Sequence, residues 1–462
     1  MKSNKFIFGL VGVGIFFSCL CSGCSFYDCV NNDEKISFAN KEVDGSEIYS
    51  QKFWSDKVGG SLNKILMSPD EIAKLNKEIC KNPETGCIDL DAYPKHLSKK
   101  ELLAELTKEE MPKGKRYIGD REIGLEYYEN LFKNRNESLV QDDNEVKYGL
   151  VVQNTQIRTY PTSDVSYSEP NDIEFDLNCE TGLKIGDRIL VLHTSTDGKY
   201  YFVKTYNYTG WVKVEDVALC NEDEWKKYGS PENFLIVTGD KIELDVNLYN
   251  KKISKAKFTM GTKLPLIDKK PLFVDGVSTK TSYVVLLPTR DEDGYCKLCN
   301  ARVPFNKDCS IGYLQYTQDN VLKQVFKMLG NLYGWSDLWD TRDCSSLVMD
   351  VYRTFGLNLP RNSSKQIAVK TSVDVSKMSL KEKKEFIMSQ PVGTLLYIPG
   401  HVMMFIGNYN DEPYVIHASY ASFSAKKEKL LNNCVVVTDL NILKYDGTKF
   451  IDNINFVSPL KK

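Results

Sequence analysis

The segment Trp339–Ser364, WDTRDCSSLVMDVYRTFGLNLPRNSS, places one cysteine at the start of an amphipathic helix. Apolar residues recur at helical spacing after Cys344, Gly356 predicts the end of the helix, and Pro360 prevents its continuation. Amides in the first turn, together with the helix dipole, stabilise a thiolate and lower its pKa. The same amides can hold the oxyanion of a tetrahedral intermediate. We therefore predict that Cys344 is a nucleophile rather than a buried apolar residue, which is the usual role of an isolated cysteine.

A thiol nucleophile needs a base, and the chain has only four histidines. Two of them lie far upstream, His96 in a helical region and His193 in a strand region, and both are expected to be structural or exposed. His401 and His417 follow Cys344, and turn signals before each of their strands predict an antiparallel hairpin. In such a hairpin His417 accepts the ring N–H of His401, whose other nitrogen then faces the thiol. The predicted catalytic triad is Cys344, His401 and His417.

Composition limits the class of protein. The chain has 462 residues, 42% of them hydrophobic, which indicates a globular protein of several domains. Lysine and arginine total 60 against 62 aspartates and glutamates, so no basic excess favours nucleic acid as a partner.

The N-terminus resembles an export signal. Lys2 and Lys5 precede an apolar run at 6–21, and sixteen helical residues span about 24 Å, which is shorter than the hydrocarbon core of about 30 Å. Small residues precede Cys24, as in bacterial lipoproteins in which that cysteine becomes acylated, although Cys21 stands where leucine is usual. We expect an exported bacterial lipoprotein of the cell envelope, anchored to the membrane through Cys24. Simple secretion and a retained N-terminal anchor are the alternatives.

The remaining cysteines cannot form a complete disulfide framework. Eleven cysteines occur from Cys24 onward, and nine remain if Cys24 is acylated and Cys344 is free. The motif CKNPETGC (80–87) is the best disulfide candidate. The motif CKLC (296–299) has zinc-type spacing but lacks a fourth ligand and a nearby histidine, so no metal site is predicted.

Periodicity divides the chain into sections. Residues 68–80 and 97–106 predict helices capped by Ser68 and Ser98, and they indicate a small helical domain. After Tyr148, two successive groups of short β-rich runs separated by turn signals predict two tandem barrels.

The motifs DCSSLVMDVYRTFGLNLPRNSSKQ, PGHVMMFIG and VIHASY resemble the NlpC/P60 cysteine peptidases, papain-like α+β domains that cut bacterial cell-wall peptides. The barrels resemble bacterial SH3 modules, and LDAYPKHLSKKEL resembles the N-terminal stabilising domain of one subgroup. The resemblance implies a multidomain α+β protein with a lipoprotein-type leader (1–23), a helical stabilising domain (24–145), two SH3-like barrels (146–221 and 222–318) and a C-terminal papain-like peptidase (319–462).

The same resemblance implies a γ-D-glutamyl-L-diamino acid endopeptidase. It would act as a monomer, without a cofactor, on murein tri- or tetrapeptides with a free N-terminal L-Ala. Cys344 would be the nucleophile, His401 the base and His417 the residue that orients it. The first barrel would close the side of the cleft that receives the substrate's N-terminus. The implied substrate contacts are Asp343, which would otherwise be unpaired and would meet the α-ammonium, and Ser345, Ser363 and Tyr208.

The sequence departs from the family pattern at two positions. Ser346 stands where many members have glycine, which puts the backbone path beside Cys344 in doubt, and Met403 replaces a common small residue. Two other functions stay open. One is a cell-wall-binding lipoprotein with an inactive peptidase domain, against which the complete triad argues. The other is a papain-like amidase or acyltransferase.

Overall fold

The structure is a computed structural model and describes residues 47–461. The N-terminal apolar run and Cys24 lie outside these residues, so export and acylation stay predictions. The described residues belong to one compact unit. None of their helices is long and apolar enough to cross a membrane.

The N-terminal segment consists of short helices and strands. They are α1 (Gln51–Val58), β1 (Ile65–Met67), α2 (Pro69–Lys81), β2 (His96–Ser98), α3 (Lys99–Leu106), β3 (Tyr117–Ile118), β4 (Arg121–Glu122), α4 (Leu125–Asn134) and β5 (Asp143–Glu145). The predicted caps of α2 and α3 are confirmed, because Ser68 and Ser98 each form a capping box with the glutamate three residues later. The buried face of α2 carries Ile72, Leu75 and Ile79, as predicted.

These helices do not share a core of their own. Trp54 of α1 and Leu75 of α2 pack into the core of the C-terminal domain, whereas Leu102 of α3 packs with the first β region. Tyr128 and Leu131 of α4 form a separate small cluster with Ile123 and Tyr160, and the identity of the segment as a helical domain stays a prediction. The apolar faces of α1, α2 and α3 are used to cover two other parts of the protein.

The first β region is one antiparallel sheet of seven strands in the order β12-β6-β9-β10-β11-β7-β8. Val203 belongs to the core on one face, while Phe202 and Trp211 lie in a second core with Leu102 and Trp225. The elements are β6 (Lys147–Val151), β7 (Thr155–Arg158), β8 (Cys179–Leu183), β9 (Arg188–Thr194), β10 (Tyr200–Lys204), β11 (Thr209–Lys213), β12 (Val217–Cys220) and α5 (Glu222–Gly229).

The second β region consists of several small antiparallel sheets around a core that includes Leu235, Phe258 and Val303. Its identity as a second SH3 module stays a prediction. The strands are β13 (Phe234–Val237), β14 (Lys241–Glu243), β15 (Lys257–Thr259), β16 (Lys263–Pro265), β17 (Phe273–Val274), β18 (Val277–Ser278), β19 (Ser282–Arg290), β20 (Cys296–Pro304) and β21 (Cys309–Ile311).

The C-terminal domain has a six-stranded sheet in the order β23-β28-β24-β25-β26-β27, with α7 packed against β25 and β26. Before α7 the chain makes a kinked turn at Trp335–Asp340. The elements are β22 (Tyr316–Thr317), α6 (Gln318–Phe326), α7 (Cys344–Arg353), α8 (Ser363–Gln366), β23 (Val373–Asp374), α9 (Leu380–Met388), β24 (Leu395–Ile398), β25 (His401–Tyr409), β26 (Glu412–Phe423), β27 (Lys429–Asp439) and β28 (Phe456–Ser458).

The cysteines of the described residues are free thiols, including Cys80 and Cys87, so the candidate disulfide between those two is not formed. Cys87 is buried beside Thr85, and burial raises the pKa of its thiol to about 12. The thiol is therefore held as a small apolar group. Among residues 47–461, no cluster of three or more histidine, cysteine or carboxylate ligands could hold a metal ion.

The first prediction concerns Trp54, which anchors α1 to the peptidase core. Its indole donates to the carbonyl of Ile48 (2.8 Å) and lies so close to Gly407 of β25 that a Cβ there would be 3.0 Å from the ring. We expect Trp54→Ala to lower the free energy of unfolding by about 3–5 kcal/mol, measured by urea titration. The matched control is Trp339→Ala, at a side chain that is 56% exposed. Equal effects of the two variants would contradict this packing.

Candidate active site

Asp343 fixes the start of helix α7. Its Oδ1 accepts hydrogen bonds from the backbone amides of Ser345 (3.0 Å) and Ser346 (2.9 Å), and the Ser346 hydroxyl accepts from the Asp343 amide (3.0 Å). This is a capping box, so Cys344 is the first residue of the helix, as predicted. Ser346, one of the departures from the family pattern, therefore has a structural role at this helix terminus.

The Cys344 thiol is buried at the helix terminus. The backbone amides of Ser345 and Val402 lie against it and favour the thiolate, as the sequence indicated. Burial, and then the charge of Asp343, outweigh them and raise the pKa of the thiol to about 12. The expectation of a lowered pKa is therefore wrong for the free protein, because the sequence does not show how deeply the thiol is buried.

His401 and His417 lie side by side on adjacent strands. Nε2 of His401 is 2.7 Å from Nδ1 of His417, whose Nε2 is 3.1 Å from the hydroxyl of Thr438 on β27. If Nδ1 of His401 is to accept the thiol proton, its Nε2–H donates to His417, and the Nε2–H of His417 donates to Thr438. Sequence reasoning missed Thr438, which becomes a neighbour of His417 only through strand pairing.

The structure brings the thiol to the start of β25. Val402, whose amide lies against the thiol, directly follows His401. The His401 ring is engaged through Nε2 with His417, which leaves Nδ1 as its candidate proton acceptor. Burial lowers the pKa of His401 to about 4 and lowers that of His417 well below its usual value. Both rings are therefore neutral near pH 7.

Asp343 is paired in the free protein. Its carboxylate accepts two hydrogen bonds from Arg361, at 2.7 and 3.2 Å. Arg361 also donates to the Ser345 hydroxyl (2.7 Å), which in turn donates to Asp343 (2.9 Å). The expectation that Asp343 stays unpaired until a ligand arrives is therefore wrong. Arg361, in the predicted loop LPRNSS, was not recognised as its partner because the two residues are separated in sequence.

A second carboxylate, Asp337, shares the same guanidinium. Its Oδ2 lies 3.5 Å from Arg361 and accepts from the amide of Gly182 on β8 (3.0 Å). Its Oδ1 is buried without a hydrogen-bond partner, and burial raises the pKa of this carboxyl. When both carboxyls are ionised, two negative charges face one positive charge. The cluster then has one excess negative charge.

The first β region supplies one wall beside this cluster. The Tyr208 hydroxyl donates to Glu180 of β8, and it lies next to the side chain of Asn362. Burial and the Glu180 charge raise the pKa of Tyr208. Tyr208 is thus placed beside the LPRNSS loop, and Ser363, half-buried, begins α8 one residue after Asn362.

The long connection between β7 and β8 supplies a second wall. The Phe175 ring meets Tyr420 edge-on at 4.6 Å and Trp335 at 5.5 Å, and Glu174 accepts from Asn433 (2.8 Å). Tyr333 lies in the same aromatic group, and burial and the nearby charges of Asp343 and Cys344 raise its pKa. Sequence reasoning missed these residues because no local motif marks them.

Comparisons with known proteins identify two segments of the chain. Residues 330–434 match the NlpC/P60 family, and residues 166–213 match the SH3 domain of the SH3b1 type. The chain carries an NlpC/P60 domain. Members of the NlpC/P60 family are cysteine peptidases, generally cell-wall endopeptidases. Cys344, His401 and His417 all fall inside the NlpC/P60 match.

A solved structure shares this fold. An NlpC/P60 endopeptidase from Photobacterium damselae subsp. piscicida is similar with a TM-score of 0.70 and 20% identity, covering 87% of this chain and 96% of that one. An NlpC/P60 family protein from Bacillus cereus ATCC 10987 has a TM-score of 0.48 and 20% identity, covering 67% of this chain and 98% of that one. No curated protein sequence matches the chain significantly.

The second prediction concerns the protonation state of the NlpC/P60 site. Because the pKa of Cys344 is raised to about 12 and that of His401 is lowered to about 4, the free protein holds a neutral thiol and a neutral imidazole at pH 7. We expect alkylation of Cys344 by iodoacetamide, located by peptide mass spectrometry, to keep accelerating as the pH rises from about 5 to about 10. A plateau between about pH 5 and 8 would instead show a preformed thiolate–imidazolium pair.

Proposed function

We propose that the protein is a cysteine endopeptidase that hydrolyses the γ-D-glutamyl-L-diamino acid bond of murein peptides with a free N-terminal L-Ala. The observation that supports this most strongly is the hydrogen-bonded series His401, His417 and Thr438 on adjacent strands, with the Cys344 thiol at the first turn of α7 against the amide of Val402, the residue after His401. A thiol, a base and a residue that orients the base are the parts that acyl transfer requires.

The proposed chemistry begins with proton transfer from the Cys344 thiol to Nδ1 of His401. The sulfur attacks the γ-carbonyl carbon of D-glutamate, and the backbone amide of Cys344, a first-turn amide that Asp343 does not occupy, stabilises the oxyanion. The imidazolium then gives its proton to the leaving amine, and water hydrolyses the thioester. His417 and Thr438 hold the ring orientation throughout. Burial lowers the pKa of His401, and the charge of Asp343 partly offsets this effect by stabilising the imidazolium.

The acidic excess beside the thiol supports recognition of a free α-ammonium. Asp343 and Asp337 share Arg361, and Glu180 faces the same loop through Tyr208. Since Arg361 already pairs with Asp343, we assign the ammonium to the unpartnered oxygen of Asp337 and to Glu180. A cation is favoured wherever buried carboxylates exceed their cationic partners.

Two contacts between the first β region and the C-terminal domain support a preference for short free peptides over intact cell wall. Tyr208 meets the LPRNSS loop, and Phe175 meets Tyr420, so the first β region contacts the peptidase in two places. A glycan strand attached to the substrate's N-terminus would have to pass through this contact. The proposed role is therefore hydrolysis of released peptides in recycling or remodelling.

The third prediction concerns the nucleophile and its base. Cys344→Ala should reduce release of the diamino acid from L-Ala-γ-D-Glu-diaminopimelate by several orders of magnitude, because members of a triad act as a unit. His401→Ala should have nearly the same effect. Chromatography of the products separates the candidate functions, since a binding protein yields no product and an acyltransferase yields a conjugate with an added amine. A Cys344→Ala variant that retains more than about a tenth of the rate would contradict the assignment.

The fourth prediction concerns the substrate's N-terminus. Leaving a partly buried carboxylate unpaired costs on the order of 3 kcal/mol, so kcat/KM should be about a hundredfold higher for the free peptide than for its N-acetyl form. Glu180→Gln should reduce this ratio and lower the rate on the free peptide. The matched control, Glu215→Gln, changes an exposed carboxylate in the same β region and should leave the ratio unchanged. Equal kcat/KM for the two peptides would show that the cleft is open and that intact wall is the better substrate.

A further inference from the structure

The second β region exposes large apolar side chains on the loop after β14 and on the β17–β18 hairpin. Leu248 is 83% exposed and Leu272 is 75% exposed. We define the apolar patch as these two residues with four exposed neighbours in the same two loops, giving Val246, Leu248, Tyr249, Leu272, Phe273 and Val277. The core of the region is complete without them, because Ile242, Phe258 and Leu264 are buried beneath. The apolar patch is therefore not required to complete the core of the second β region.

The two loops of the patch are held together. The Asn247 side chain donates to Asp275 (2.6 Å), which joins the loop after β14 to the β17–β18 hairpin. The Tyr249 ring lies 3.5 Å from the position that a Cβ at Gly276 would occupy. Gly276 has a positive φ of 73°, which suits the tight hairpin turn. The exposed side chains are therefore presented by a fixed surface.

The segment that carries the patch has a surplus of lysines. Residues 243–280 contain eight lysines and no arginine against four acidic residues, in a chain whose formal net charge is −2. Within the described residues, Lys257 pairs with Glu243 at 3.9 Å, while the others form no ion pair of 4 Å or less. The exposed lysines are Lys251, Lys252, Lys255, Lys257, Lys269, Lys270 and Lys280.

We propose that this surface docks on an anionic phospholipid bilayer. Apolar side chains enter the interface between headgroups and acyl chains, and the lysines are attracted to the negative surface potential. A second copy of the chain is disfavoured as the occupant of the patch. Pairing of two patches would bring two lysine-rich segments together, and their positive charges would repel each other. Docking through the second β region is independent of acylation at Cys24 and would fix the orientation of the cleft relative to the membrane.

The experiment uses residues 44–462, which form one compact unit and lack both the apolar run and Cys24. Binding is measured by co-sedimentation with vesicles of phosphatidylcholine alone or with about 30% phosphatidylglycerol. We expect binding to the anionic vesicles, weakened by about 0.5 M salt, and at least tenfold weaker binding to the neutral vesicles. Leu248→Ser with Leu272→Ser, and Lys251→Glu with Lys269→Glu, should each weaken binding at least tenfold.

The matched control is Leu430→Ser with Leu431→Ser, two exposed leucines of β27, which should bind as the unchanged protein does. All variants should hydrolyse the free peptide at the original rate, because the patch lies outside the catalytic residues. Absence of binding to anionic vesicles, or equal binding by the patch variants, would overturn the proposal. A concentration-dependent dimer in size-exclusion chromatography that Leu248→Ser abolishes would identify a second copy as the occupant instead.

Discussion

The guanidinium of Arg361 joins the nucleophile helix to the first β region. It donates to Asp343, which caps α7, and its Nε donates to Thr181 of β8 at 2.6 Å. It also lies beside Asp337, which accepts from the amide of Gly182 and from the hydroxyl of Thr181. Removing one member of a buried ionic group leaves the others unpaired, at a cost of about 3–5 kcal/mol. The position of Cys344 therefore depends on docking of the barrel as much as on its own helix.

The charge balance of this group also bears on catalysis. The negative charge of Asp343 raises the pKa of the Cys344 thiol and raises that of His401, so it disfavours the thiolate while favouring the imidazolium. A cation beside the carboxylates would weaken both effects, because it stabilises the thiolate and destabilises the imidazolium. On the proposed function, the substrate's ammonium supplies that cation. Binding of a free N-terminus would then lower the pKa values of both Cys344 and His401, and a neutral N-terminus would not.

Features set by local interactions could be predicted from the sequence. The caps at Ser68 and Ser98, the start of α7 at Cys344 and the hairpin of His401 and His417 each depend on residues within a few positions of one another or on one turn. Features set by tertiary contacts could not. Three such features depend on segments that are distant in sequence. They are the pairing of Arg361 with Asp337, the burial of the Cys344 thiol, and the packing of N-terminal helices against the cores of other regions.

The N-terminal segment and the first β region support the two members of the catalytic pair, His401 and Cys344, from different sides. Trp54 of α1 packs on Gly407 of β25, the strand that begins with His401, whereas β8 holds the turn at Trp335–Asp340 just before Cys344. That turn has positive φ at Ser336, Asp337, Trp339 and Asp340, a conformation that costs about 1–2 kcal/mol for each residue without compensating contacts. The contacts of Ser336 and Asp337 with β8 compensate for it. The NlpC/P60 domain without these segments would lose the support of both its thiol and its imidazole.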